Sequence, residues 1–267
     1  MTGKNLLRTG KNGLVSPLLS VEEMERESIA FIREHEPPEG YFCGFSGGKD
    51  SIVAEYLLRR SGVKYRAFYS STGIDPPEVV RFIREHYPEI PFLKPPMTFW
   101  NGIRKKSPPL RMMRWCCDLA KKQPAKPAVI KALCGDPLRH RVMGIRAEES
   151  YRRANRPRID KYRGITTYKP IFYWKEWHIW ELIESRQLPY PSLYGEGFGR
   201  IGCVICPFIM GKNQRNLERH RERWPAIYRI FERVVTDWFL HHRRNIDRYN
   251  EQTPAEYLAA YYRGFTD

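Results

Sequence analysis

The chain has 267 residues, 42% of them hydrophobic, and 46 Lys and Arg stand against 30 Asp and Glu, a net charge of +16. That supplies one α/β core with a smaller attachment, with no internal repeat and no apolar run of transmembrane length. The start, MTGKNLLRTGKNG, lacks the apolar stretch of a secretory signal, so a cytoplasmic location is expected, where six cysteines point to metal or redox chemistry rather than disulfides.

Ser20-Val21-Glu22-Glu23 has capping-box spacing and predicts a helix to about His35, stopped by EPPEG (36–40). Tyr41–Phe45 is a short apolar run suited to a buried parallel strand. SGGKDS (46–51) follows as a loop, then an amphipathic helix from about Ile52 to Arg60. KYRAFYS (64–70) predicts a second strand, and Pro76-Pro77 lead into a helix over Glu78–His86. This alternation is that of a doubly wound, mostly parallel sheet. Weaker strand signals lie at 88–94 and 141–145. The Pro- and Lys-rich stretch 95–127 interrupts the pattern, with an inserted helix expected near Trp115–Lys122. A further helix is expected over Trp174–Gln187, with Trp177, Ile179, Trp180 and Ile183 apolar, and beyond Arg215 the chain reads as helices rich in Arg and aromatics. The expected organisation is a basic tail (1–19), an α/β domain (20–190) and a CxxC-bearing helical extension (191–267).

Basic residues gather at 103–114, 139–141, 151–163 and 241–248, and Tyr151, Tyr162 and Tyr168 interleave with the third run. Such runs attract polyanions by counterion release, and interleaved aromatics suit nucleic acid. A solubilising basic surface gives the same composition.

Ser46-Gly47-Gly48-Lys49-Asp50-Ser51 lies after a strand and before a helix. Its glycines let backbone N–H groups turn toward an anion, the helix start adds partial positive charge, and Ser46, Ser51 and Lys49 add donors. A polar turn with a helix cap is the alternative; the strand–loop–helix setting favours the anion. The Walker spacing GxxxxGK[ST] is absent. Cys116-Cys117 and Cys203-x-x-Cys206 form a second constellation. Four thiolates suit a [4Fe–4S] cluster or structural zinc, a CxxC can be a redox pair, and cysteines also pack as small hydrophobes. Glycines 195, 197, 199 and 202 would let the backbone wrap closely, and Pro207 would stiffen the exit. Cys43 and Cys134 read as packing residues.

SGGKDS resembles the PP-loop of the adenine nucleotide alpha-hydrolase-like ATP pyrophosphatases, which split ATP between the α and β phosphates. Ser71-Thr72-Gly73-Ile74-Asp75-Pro76-Pro77-Glu78 resembles the TGxxxPE motif of the PAPS reductase family. Gly144-Ile145-Arg146-Ala147-Glu148-Glu149-Ser150 resembles that family's G-[IL]-R-x-x-x-S motif, and Tyr168-Lys169-Pro170-Ile171 with Trp174 and Trp180 its late segment. The resemblance covers about residues 40–210. It implies that Ser46, Gly47, Gly48, Lys49, Asp50, Ser51, Thr72, Gly73 and Arg146 bind ATP. Lys49 and Arg146 would stabilise phosphate charge with Mg²⁺ bridging, and Asp50 would orient Mg²⁺ or the loop, or serve as a helix-start carboxylate. CC…CxxC is the cluster pattern of adenylylsulfate reductases, which assigns Cys116, Cys117, Cys203 and Cys206 to a [4Fe–4S] cluster.

The sulfonucleotide reductases of this family use a cysteine nucleophile near the C-terminus, and no cysteine follows Cys206 in this sequence. PP-loop, cluster and basic surface together resemble the DndC/SspD-type proteins of bacterial DNA phosphorothioation. That resemblance implies adenylation of a DNA phosphate followed by sulfur transfer, a cysteine desulfurase as donor and a multiprotein DNA-modification complex. tRNA thiolation, sulfonucleotide reduction through another thiol such as Cys134, and non-catalytic nucleotide or DNA binding are the alternatives.

Overall fold

The computed structural model describes residues 19–210, 214–242 and 251–264. Residues 1–18 of the basic tail and 243–248 of the fourth basic run lie outside the described residues. Helix α1 (Val21–Glu34) begins on the expected capping box, with Glu23 N–H donating to Ser20 Oγ at 3.3 Å and Ser20 N–H to the Glu23 carboxylate at 2.9 Å. β1 (Tyr41–Phe45), α2 (Lys49–Ser61), β2 (Tyr65–Ser70), α3 (Pro77–His86) and β3 (Phe92–Leu93) follow in the predicted alternation. α2 starts at Lys49, three residues earlier than its apolar pattern suggests. Gly48 takes the extended conformation of an N-cap (φ −85°, ψ 155°), so the helix starts directly after the glycines and carries Lys49, Asp50 and Ser51 in its first turn.

The Pro- and Lys-rich stretch is more ordered than its composition suggests. It holds α4 (Phe99–Lys105), then α5 (Trp115–Cys117) running into a π-helical turn over Asp118–Lys122 where a single helix was expected. α6 (Pro127–Cys134) and β4 (His140–Met143) follow. After α7 (Tyr151–Ala154), β5 (Ile159–Tyr162) and β6 (Ile165–Tyr168) form an antiparallel hairpin that the basic run conceals. Its two-residue turn, Arg163-Gly164, has φ values of +48° and +73°, the positive pair that matches strand twist in tight hairpins. α8 spans Glu176–Ser185, shorter than expected, with His178, Ile179, Leu182 and Ile183 buried and Trp177 exposed. α9 (Gln214–Arg223), α10 (Pro225–His241) and α11 (Pro254–Arg263) make the expected helical tail.

The sheet order is β3-β2-β1-β4-β6-β5. β1 pairs in parallel with β2 and β4, β4 pairs in parallel with β6, and β5 is antiparallel to β6. This is the doubly wound, mostly parallel α/β fold expected. From β1 and β4, neighbours in the sheet, the chain runs out in opposite directions, the switch point at whose carboxyl ends such folds bind ligands.

The chain forms two compact units interleaved in sequence. Of the described residues, the first holds 19–69, 81–92 and 127–199. In it α2 packs against α1 and α8, and the buried Trp174 donates its indole N–H to Ser28 Oγ at 3.0 Å. The second holds 70–80, 93–126 and the described residues between 200 and 264. There α10 packs on α4, α9 and α11, burying Phe231, Val235, Trp238 and Phe239. Among the described residues no helix is long and apolar enough to cross a membrane.

Candidate functional site

In the first unit, the turn from β1 into α2 is built by its glycines and fastened by its serines. Gly47 has φ +70°, left-handed backbone that only glycine adopts without strain. Ser46 N–H donates to Ser51 Oγ at 3.1 Å, Ser46 Oγ–H to Ser51 Oγ at 3.0 Å, and Ser51 Oγ–H to the Gly48 carbonyl at 2.8 Å. Both serine hydroxyls are thus engaged inside the loop. Lys49 N–H donates to the Tyr194 phenol at 2.9 Å. Lys49 Nζ donates to the Gly199 carbonyl at 3.0 Å, lies 3.1 Å from Glu176, and faces the rings of Trp180 and Tyr194 at 5.9 and 5.3 Å.

Gly144, at the end of β4, places Arg146 against this turn. A Cβ there would lie 2.4 Å from the Asp50 carbonyl oxygen, so only glycine lets the strand approach α2 so closely. Arg146 Nε donates to Asp50 Oδ1 at 2.6 Å, and Nη1 to Glu148 Oε2 at 2.6 Å. Glu148 Oε2 also accepts Glu176 N–H at 2.8 Å, which joins the Arg146 and Lys49 clusters. Burial opposes the Arg146 charge, but Asp50, Glu148 and Glu149 more than offset it and hold the guanidinium above its ordinary value. The exposures are unequal. Lys49 and Arg146 side chains are 6% and 5% exposed, whereas Glu176 and Glu148 are 54% and 37% exposed. Sealed cations with exposed carboxylate partners accept a stronger anion when those carboxylates turn out to solvent.

The structure therefore brings Ser46–Ser51 and Arg146 together. Of the tryptophan pair, Trp174 is core and Trp180 faces Lys49. Sequence reasoning passed over Tyr194 and Glu176 and quoted Glu148 only as part of a motif. The only signal for Tyr194 was its place beside the glycine-rich 195–202 segment, read there as wrapping a cluster.

Thr72 and Gly73 belong to the second unit. Thr72 N–H and Oγ1–H both donate to the Asp75 carboxylate, at 2.7 and 2.8 Å, and the Cys203 thiol donates to Thr72 Oγ1 at 3.6 Å. The same unit holds Cys116, Cys117, Cys203 and Cys206, all partly exposed. Arg111 ties the CC segment to the exit of the CxxC turn, donating to the Pro207 carbonyl at 3.2 Å and the Met210 carbonyl at 2.7 Å. The thiols feel one another. Cys116 is pushed up, first by its hydrogen bond to Cys117, then by burial and the charges of Cys117, Cys203 and Cys206. Cys117 is pulled down to about 6, first by the Cys116 hydrogen bond and then, against burial, by Lys121 and Arg114. Yet among the described residues no three His, Cys, Asp or Glu side chains converge as metal ligands do. The four cysteines fit a cluster in donor type and neighbourhood, not in converged geometry. Cys43 is fully buried and Cys134 ends α6, its thiol on the Ile130 carbonyl at 3.1 Å.

Residues 40–208 match the phosphoadenosine phosphosulfate reductase domain. The chain belongs to that family. An uncharacterized protein of Methanocaldococcus jannaschii is 30% identical over 224 residues, covering 79% of this chain and 46% of that protein. The adenosine 5'-phosphosulfate reductase of Staphylococcus haemolyticus is 27% identical over 175 residues, 62% of this chain and 69% of that enzyme. The chain spans about half the length of the two M. jannaschii proteins it matches. The crystal structure of phosphoadenylyl-sulfate reductase from Candida auris in a phosphate complex aligns with a TM-score of 0.51 at 19% identity, over 72% of this chain and 98% of that one; this is a likeness of fold. The PP-loop fold of this reductase family uses adenine nucleotides.

Proposed function

We propose that the chain binds ATP over the β1–α2 turn, cleaves it between the α and β phosphates, and passes AMP to an acceptor that then receives sulfur. The observation that carries this is the pair of sealed cations, Lys49 and Arg146, at a glycine-built helix start, each held by an exposed carboxylate that phosphate can replace. Acceptor oxygen attacks the α-phosphorus and pyrophosphate leaves; a sulfide-level nucleophile then displaces AMP, so neither step changes oxidation state. Lys49 and Arg146 bind the departing pyrophosphate charge, which makes positioning and electrostatics the main contributions. Asp50, whose Oδ1 accepts from Arg146 Nε, would help hold a Mg²⁺, which would supply charge neutralisation. Cys116, Cys117, Cys203 and Cys206 would hold a [4Fe–4S] cluster.

DNA is the acceptor we favour. Its support is a basic, aromatic edge in the first unit: Tyr151, Arg152, Lys161, Tyr162 and Arg163 are exposed around α7 and the β5–β6 hairpin. A cysteine desulfurase in a DNA-modification complex would supply the sulfur as a persulfide, whose S–S bond a thiol reductant would cleave to give the sulfide-level nucleophile. Product analysis tests the catalytic core: ATP should give AMP and pyrophosphate, and Lys49→Ala should lower kcat/KM about 100-fold or more with the fold intact. ADP and phosphate as products would overturn the proposal. Release of AMP and sulfite from adenylyl sulfate would return the chain to reductase chemistry.

A further inference from the structure

α2 starts on Gly48 and so has no side chain to cap its first turn. The amide left open is satisfied from 145 residues away, by the Tyr194 oxygen on Lys49 N–H at 2.9 Å. A phosphate oxygen bound at this helix start would take the same hydrogen-bond position on the same amide. The phenol overlies the loop: a Cβ on Gly48 would lie 3.3 Å from its oxygen. Its own proton has no acceptor among the described residues. Burial pushes the phenol up to about 12, against the Lys49 amide, so it is neutral and a weaker acceptor than phosphate.

The segment that carries Tyr194 is fastened to the same lysine a second time, through Lys49 Nζ on the Gly199 carbonyl at 3.0 Å. Gly197 N–H closes onto the Tyr194 carbonyl at 3.0 Å, and Gly197 has φ +85°. Leu193 and Phe198 are buried, so the glycine-rich segment is anchored while the Tyr194 ring faces the loop. One residue, Lys49, thus holds both the phenol and the far end of its segment through the groups that a phosphate chain would claim.

We infer that Tyr194 is a residue of the phosphate site: its oxygen occupies the seat of a phosphate oxygen, and a phosphate chain binds by displacing it. This rests on the nucleotide reading above. It adds that ligands without phosphates to compete for Lys49 leave the phenol in place, which makes Tyr194 a determinant of selectivity for the phosphate chain.

Tyr194→Phe removes the oxygen and keeps the ring. By calorimetry, ATP and inorganic pyrophosphate should bind this variant roughly threefold to tenfold tighter than wild type, the worth of one neutral hydrogen bond, while adenosine binds both alike. Equal or weaker binding of pyrophosphate by the variant overturns the inference and leaves the nucleotide reading standing. Failure of both proteins to bind ATP or pyrophosphate sinks that reading and the inference with it.

Discussion

Lys49 and Asp50 are adjacent, yet they serve opposite charges: Lys49 reaches Glu176 and Gly199, while Asp50 holds Arg146. That division depends on Gly144, whose missing side chain admits the Asp50 backbone. Gly144→Ala places a methyl against a carbonyl oxygen rather than a flexible side chain, so the first turn of α2 must shift. The expected cost is about 1–3 kcal/mol of stability, as for other overpacked sites, read as a lower midpoint in urea. Weaker ATP binding should accompany it, because the Asp50–Arg146 contact moves with the turn; unchanged stability and affinity would show that the strand can yield. Ser46–Ser51 and Arg146 were legible in the sequence because each motif is contiguous. Tyr194 and Glu176 were not, since their meaning lies in contacts made across more than a hundred residues.

The elements divide the same way. α1, β1 and α3 follow from a capping box, an apolar run and a proline start, each a local signal. The β5–β6 hairpin was hidden because Arg163-Gly164 replaces the usual Asn-Gly turn inside a run of charges that reads as surface. On α8 polarity does not track burial: His178 is buried and the apolar Trp177 exposed, because the His178 imidazole caps the helix. Lys175 N–H donates to His178 Nδ1 at 2.8 Å, and Nε2–H donates to the Leu19 carbonyl at 3.2 Å. Burial lowers the His178 pKa from its ordinary 6.5, and His220 is lowered by burial in the same sense. Protonating Nδ1 would set two N–H groups against each other at a helix start that disfavours positive charge. Between the native pKa and 6.5 the unfolded chain binds the extra proton, so stability falls as pH drops through that window. His178→Gln can accept from Lys175 and donate to Leu19 without titrating. Its urea midpoint should therefore fall less than wild type between about pH 7.5 and about pH 5. Parallel losses in the two proteins would remove His178 as a source of acid sensitivity.

The charge of the whole chain overstates the surface it offers to a polyanion. Arg153, Arg156 and Arg158 pair with Glu149, Asp160 and Glu27, Arg141 lies over the Phe42 ring at 5.0 Å, and Lys169 is buried. Within the 151–163 run this leaves Arg152, Lys161 and Arg163 exposed and outside any salt bridge among the described residues, with Arg163 set 5.2 Å from the Tyr162 ring. If DNA docks on this edge, affinity falls steeply with salt, and reversing any of these three charges lowers the salt slope by roughly 1. Arg158→Glu is different in kind: it breaks an ion pair with Glu27 and the contact with Phe31, and should cost stability as well. Slopes unchanged by all three reversals would move the DNA contact elsewhere. Binding by a basic chain does not establish chemistry, so the acceptor is decided by product. Mass spectrometry of nuclease-digested DNA from cells with and without the gene should show phosphorothioate-linked dinucleotides disappear on deletion. Unchanged DNA with a missing thiolated tRNA nucleoside would transfer the same adenylating site to RNA, and a failure confined to sulfate assimilation would make it a reductase.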